Sequence, residues 1–258
     1  MHIVHPTFPL GNLLSNEHLA FLNSIFHMNN SVENQKIASL SEQQLVDIEI
    51  ALLDRIDPKN LGNKVIAATL KRYPGYNLII HKDFYNPTAD WRLQSKTRVL
   101  VPNKLLAVQI ATINPNVDVV ITSREDMEDN LAHGTFHSMV MDTAYDTRHL
   151  VDKYMIVAVN PEELTPPAGQ GTYVIIADKE NLNLRKMAVQ WHDASISLIT
   201  NVERKVAVDT LNCGHIHISQ NQNNYQVTFA TLKDDVLIKK TLNLSSIATL
   251  NSFISNYI

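Results

Sequence analysis

The chain has 258 residues, 45% hydrophobic and 19% charged, with a formal net charge of -4. This balance fits a folded chain with a sizeable core, as one large domain or two small ones, and excludes extended disorder and a phosphate-tracking basic surface, so no nucleic-acid partner is expected. One cysteine excludes an intramolecular disulfide framework and any zinc site with more than one thiolate ligand, and fits a reducing compartment.

The first residues, MHIVHPTFPLGNLL, lack the basic start and continuous apolar core of a signal peptide. No window approaches the roughly 20 apolar residues of a membrane helix. A soluble, cytoplasmic chain with no membrane span is expected. From Ser15, the spacing of Leu19, Leu22 and Phe26 predicts a helix that closes near Asn29 and Asn30. Ser41 to Gln44 has the form of a capping box, followed by an apolar stripe of Leu45, Ile48, Leu52 and Ile56 that Asp57-Pro58 ends. A further helix is predicted from about Asn60 to Arg72 on Val65, Ala68 and Leu70, stopped by Pro74-Gly75. Residues 1–72 therefore read as a mainly helical N-terminal part.

Residues 73–258 read as a mainly β part, or the whole chain as one compact domain. Short runs rich in Val, Ile, Tyr and Thr, bounded by turn residues, predict strands at Asn77–His81, Arg98–Val101, Val117–Thr122, Ser138–Met141, Tyr154–Val159 and Thr172–Ala177. The same signal marks Met187–Trp191, Ser195–Val202, Lys205–Val208, His215–Ile218, Tyr225–Thr231 and Val236–Leu242. Turns are expected at Gln220–Asn224 and Lys233–Asp235. Lys104–Ile110 reads as a short helix, although its Val and Ile content also allows a strand. Ser123 to Asp126 forms a second capping box for a helix ending at Gly134. Ser245–Ile258 carries helical spacing, and Pro161–Gly171 is expected to be a mobile loop. The expected class is α+β: N-terminal helices packed on a mostly antiparallel sheet, with a C-terminal helix.

Reactive side chains gather in Leu131–Asp142, LAHGTFHSMVMD, and Thr210–Ile218, TLNCGHIHI. A thiol nucleophile needs a base that lowers its pKa and a third group that orients the base. Cys213, His137 and Asn160 are the candidates: His137 opens an apolar strand, Asn160 ends the next, and Gly214 after Cys213 allows a tight turn that leaves the sulfur exposed.

These segments resemble the ubiquitin-like-protease class of cysteine enzymes, and in particular the YopJ-type effector acetyltransferases. The likeness rests on His137-Ser-Met-Val-Met-Asp142, on Asn160 at the end of the following strand, on Asn212-Cys213-Gly214, and on the Lys64–Ile80 segment before the histidine. The resemblance implies a cysteine-dependent acyl-transfer or hydrolytic enzyme acting on a protein substrate, acetyl-CoA as donor, and membership of the effectors secreted into a host cell.

Two other readings use the same histidines. His133-Gly-Thr135 and His217-Ile-Ser219 resemble the paired motifs of two-histidine phosphoesterases, in which the histidines act as base and acid across a phosphodiester. His215 and His217 alternate along a strand and so share a face, which with His133 or His137 would supply an open three-histidine metal site. A non-catalytic binding or structural protein is the alternative from a different class.

Overall fold

The computed structural model describes residues 49–257 apart from 57, 90, 92, 146, 212, 213, 223 and 249. The helix predicted from Ser15, the Ser41 capping box and the candidate nucleophile Cys213 lie outside the described residues. The chain is mixed α/β and divides into two units, residues 1–73 with 170–198, and residues 74–169 with 199–258.

In the first unit, β1 (Glu49–Leu52) and β2 (Lys64–Arg72) flank β8 (Thr172–Asp178) in an antiparallel sheet. The two helices predicted over residues 45–56 and 60–72 are corrected here where the chain is described: Glu49–Leu52 and Lys64–Arg72 are strands. Val65, Ile66 and Thr69 are β-branched and fit a pleated surface better than a helix. Ala51, Leu53, Val174 and Ile176 bury together against Ile66. β2 carries register shifts between Ile66 and Ala68 and between Thr69 and Arg72. Such irregularities leave backbone groups unpaired in the ladder, and Thr69 uses them elsewhere: its N–H donates to His192 Nδ1 at 3.1 Å, and its carbonyl accepts from Asp193 N–H at 2.8 Å.

Three segments predicted as strands are helical. Met187–Trp191 falls on α3 (Leu182–Ala188) and the 3-10 turn after it. Ser195–Val202 and Lys205–Val208 form one helix, α4 (Ala194–Asp209). Its β-branched residues carry a strand signature, but Asp193 Oδ1 accepts the Ile196 N–H at 3.0 Å as a cap. Ile199, Glu203, Val206 and Ala207 then share one buried face at helical spacing.

The second unit contains a five-stranded sheet. Its elements are β3 (Tyr76–His81), β4 (Arg98–Val101), α1 (Lys104–Ile113), β5 (Asp118–Ile121), α2 (Arg124–Ala132), β6 (Ser138–Asp142) and β7 (Tyr154–Val159). The order is β5-β4-β6-β3-β7. β4 is parallel to β5 and β6, whereas β3 runs antiparallel to β6 and β7. Side chains alternate across a strand, and both faces are covered here. Leu78, Ile80, Val99, Val101 and Val140 bury against Leu106 and Ile110 of α1. Ile79, Leu100, Met139 and Met141 bury against Met127 and Leu131 of α2. The two crossover helices therefore lie on opposite faces, and the central strands β3, β4 and β6 read as largely apolar runs because both their faces are covered.

The same unit holds a three-stranded antiparallel sheet of β9 (His215–Asn221), β10 (Asn224–Lys233) and β11 (Val236–Leu244). Residues 199–209 of α4 and the short α5 (Leu250–Ser255) pack on it through Val206, Leu250 and Ile254 against Ile216, Val227 and Phe229. Asp234 and Asp235 turn β10 into β11 with φ of 49° and 63°, the left-handed pair that a two-residue hairpin requires and Asp tolerates. Residues 161–169, expected to be mobile, are tied down. Thr165 exchanges two hydrogen bonds with the Gln109 side chain, Pro166 O accepts Ile216 N–H, and Gly169 N–H donates to Glu203.

Candidate functional site

α1 leaves the carboxyl end of β4 toward β5, and the chain leaves the carboxyl end of β6 in the other direction, toward β7. Open α/β sheets bind ligands in the crevice outside the carboxyl ends of strands whose connections diverge in this way. Three loops meet at this edge: Pro102-Asn103 after β4, Thr122-Ser123 after β5, and Thr143 after β6.

Each loop is fixed by its own chemistry. Asn103, extended at φ -157° and ψ 163°, caps α1 by accepting Leu106 N–H at 2.8 Å. Ser123 caps α2 through Asp126 N–H at 3.3 Å, and its hydroxyl donates to the Asp126 carboxylate at 2.6 Å. The Asp126 N–H bond is the Ser123 half of the capping box read from the sequence and commits Ser123 to the helix end. Arg124, the first residue of α2, donates from its guanidinium to Asp142 Oδ2 at the end of β6. Asp142 is buried, 4% exposed, whereas Arg124 is 31% exposed. Beside them, Glu128 accepts from Tyr145 Oη and meets His149 Nε2 at 2.8 Å.

His137 lies at the other end of the sheet. Its carbonyl accepts His81 N–H at 2.8 Å, at the carboxyl end of β3. Asn160 follows Val159, which pairs with Tyr76 at the start of β3. β6 and β7 are both antiparallel to β3, so they are parallel to each other. The start of one and the end of the other are then separated by the length of β3, on the order of 17 Å at the usual rise per residue. Asn160 cannot orient His137. Its Oδ1 instead accepts Glu162 N–H at 2.9 Å in a turn. The His137 ring stacks on Phe84 with centroids 3.8 Å apart, and Nδ1 accepts Arg98 N–H at 2.9 Å. Burial first, then Arg98 and His81, hold its pKa below the ordinary 6.5.

The other histidines are also placed. His133 ends α2 and bonds the Asp129 carbonyl of its own helix at 2.5 Å. His217 belongs to the other sheet, where it pairs with Thr228. His215 and His217 share a face of β9 as expected, but that face is buried: they are 6% and 9% exposed. Among the described residues, no group of three His, Cys, Asp or Glu side chains is arranged to hold a metal ion. No helix among them is long and apolar enough to cross a membrane.

No family model matches the chain, and no curated protein matches it. Solved structures do. An arginine-bound ArgBP variant from T. maritima shares 16% identity over 62% of this chain and 68% of that one, with a TM-score of 0.31. An arginine transport-system periplasmic binding protein from Legionella pneumophila shares 16% identity over 71% and 72%, at 0.30. An ancestral cationic amino acid solute-binding protein shares 12% identity over 72% and 83%, at 0.36. These are binding proteins, not ubiquitin-like proteases or YopJ-type acetyltransferases. The reading of the chain as a thiol protease-like hydrolase or transferase is corrected on the placement of its own residues. The His137 and Asn160 arms of its triad lie at opposite ends of β3, and the protein substrate and acyl donor that went with that reading fall with it.

Proposed function

We propose that this chain is a non-catalytic binding protein that holds a small polar ligand at the carboxyl edge of the five-stranded sheet, against Arg124. The observation that supports this reading is the Arg124–Asp142 pair at the point where the strand connections diverge. A guanidinium presents its N–H donors in a planar fork that matches a carboxylate, and the Arg124 side chain is 31% exposed. Asp142, held in the sheet, keeps that fork oriented while the exposed part of Arg124 meets a ligand carboxylate or carbonyl. Such a role needs no nucleophile or general base beside the ligand, and the neighbouring Ser123 hydroxyl is committed to its cap.

Thermal unfolding of the full chain against a panel of amino acids and small di- and tricarboxylates tests the proposal. One ligand class should raise the midpoint in proportion to its concentration, as ligand linkage requires, and should be recovered chemically unchanged. Conversion of that ligand to a product would sink the non-catalytic reading, and a panel with no stabilising member would remove the site.

A further inference from the structure

In the first unit, Asn181 starts α3 by accepting Leu184 N–H at 3.1 Å. Leu184 and Ala188, four residues apart, share the inward side of the helix and are 5% and 0% exposed. Leu182 and Val189, seven residues and about two turns apart, share the outward side and are 60% and 62% exposed. Arg185 and Lys186 fall between them on that side, and α3 carries no carboxylate. The outward side of α3 is therefore a short apolar stripe crossed by two cations.

The chain enters the unit beside this stripe. β1 begins at Glu49, which pairs with Ile176. β8 ends two residues later at Asp178, and residues 179–181 lead from there to Leu182. The 48 residues before Glu49, which lie outside the described residues, thus join the unit within a few residues of the exposed Leu182. They contain the spacing of Leu19, Leu22 and Phe26, an apolar row that needs a surface to cover it, because a short helix is marginal in water until such a face is packed. Residues 31–48, between that row and β1, carry Glu33, Glu42 and Asp47 against Lys36, a net charge of 1 - 3 = -2. This is opposite in sign to the charge of Arg185 and Lys186.

The size of the stripe selects its occupant. Two side chains fall far below the roughly 800 Å2 per partner that holds separate chains together, so a second copy of this chain is not the occupant. A segment of the same chain meets the stripe at an effective concentration on the order of millimolar. The 18 residues 31–48 span up to roughly 60 Å, several times the length of about 10 Å that seven helical residues occupy.

From the exposed stripe of α3, its charge and its place at the entry of the chain, we infer that Leu182 and Val189 form the docking surface for residues 15–30 of the same chain. Leu19, Leu22 and Phe26 cover the two side chains, and the acidic stretch 31–48 runs along Arg185 and Lys186. This surface lies in the first unit and is independent of the ligand site proposed against Arg124.

Photo-crosslinking of the full chain tests the inference, with benzoylphenylalanine in place of Leu182 or, in a second protein, of Val189. Irradiation of a mixture of 15N-labelled and unlabelled chains, followed by peptide mass spectrometry, should place both crosslinks within residues 15–30 of the same molecule. Leu22→Asp with Phe26→Asp should lower that yield at least roughly tenfold, since two charges then face the apolar stripe. Ser24→Asp, on the other side of the same helical spacing, should leave it unchanged. Near-ultraviolet circular dichroism should be the same for all these proteins. A crosslink joining labelled to unlabelled chains, one placed in another segment, or no crosslinked peptide at all would overturn the inference. So would a yield that the double substitution does not lower.

Discussion

Arg124 reaches from the first turn of α2, which follows β5, to the carboxylate of Asp142 at the end of β6, beside the point where the connections of β4 and β6 diverge. A partly exposed cation held by a buried anion in this way is oriented without being hidden.

Breaking that pair from the exposed side takes the Arg124 guanidinium away from the buried Asp142 carboxylate. Arg124→Met is expected to destabilise the second unit by roughly 1–3 kcal/mol, below the cost of breaking a fully buried pair because Arg124 is partly solvated. The double variant Arg124→Met/Asp142→Leu should recover part of that loss. Urea denaturation measures both, and a double variant less stable than the single one would contradict the assignment.

Glu203 is fully buried on α4 and accepts two backbone N–H groups, Ile218 at 2.6 Å and Gly169 at 2.8 Å. It thereby joins the helix to β9 and to the end of the 161–169 segment. Glu203→Ala should orphan these donors at about 1–3 kcal/mol each. Amide hydrogen exchange should show the Ile218 and Gly169 protons losing protection before their neighbours do. Unchanged protection at both would remove Glu203 from this role.

Burial lowers the His215 pKa from 6.5 to about 4, against a smaller opposing effect of its bond to Thr165. The unfolded chain therefore binds a proton between pH 6.5 and about 4 that the folded chain does not. Stability from this group is complete above pH 6.5 and falls as the pH drops through that window, by about 3 kcal/mol at most. His215→Phe should flatten this part of the curve of unfolding free energy against pH. A slope that persists unchanged would assign it to other groups.

The glycines separate two kinds of strain. Gly214→Ala drives a Cβ to 2.8 Å from a backbone carbonyl and should cost roughly 1–3 kcal/mol as overpacking. Gly134→Ala meets nothing within 4 Å but sits at φ +74°, so it should cost only about 1 kcal/mol from the left-handed backbone. Thermal midpoints of the two variants should fall in that order.

Much of the fold is legible in local chemistry. Arg98–Val101 and Tyr154–Val159 read as strands because β-branched runs end abruptly at polar or breaker residues, and Ser123 declares the start of α2 through its capping box. α4 was hidden because Ile196, Ile199, Val202 and Val206 carry a strand composition while their spacing is helical. β2 was misread for the converse reason, since Val65, Ala68 and Leu70 happen to fall at helical intervals. The direction of β4 against its neighbours could not be read, because parallel order depends on pairing between distant segments. His137 and Asn160 looked like partners in the one-dimensional order, and only the intervening β3 shows that they are not. His215 drew attention as a possible metal ligand; its bond to Thr165, which fixes its tautomer, left no mark in the sequence.

The most direct measurement is isothermal titration calorimetry of the stabilising ligand from the panel against the full chain and against Arg124→Met. The account predicts one saturable site whose affinity falls at least roughly tenfold in the variant, with the variant shown to be folded by its near-ultraviolet circular dichroism. Equal affinity in both proteins would contradict the placement of the site at the carboxyl edge of β4 and β6.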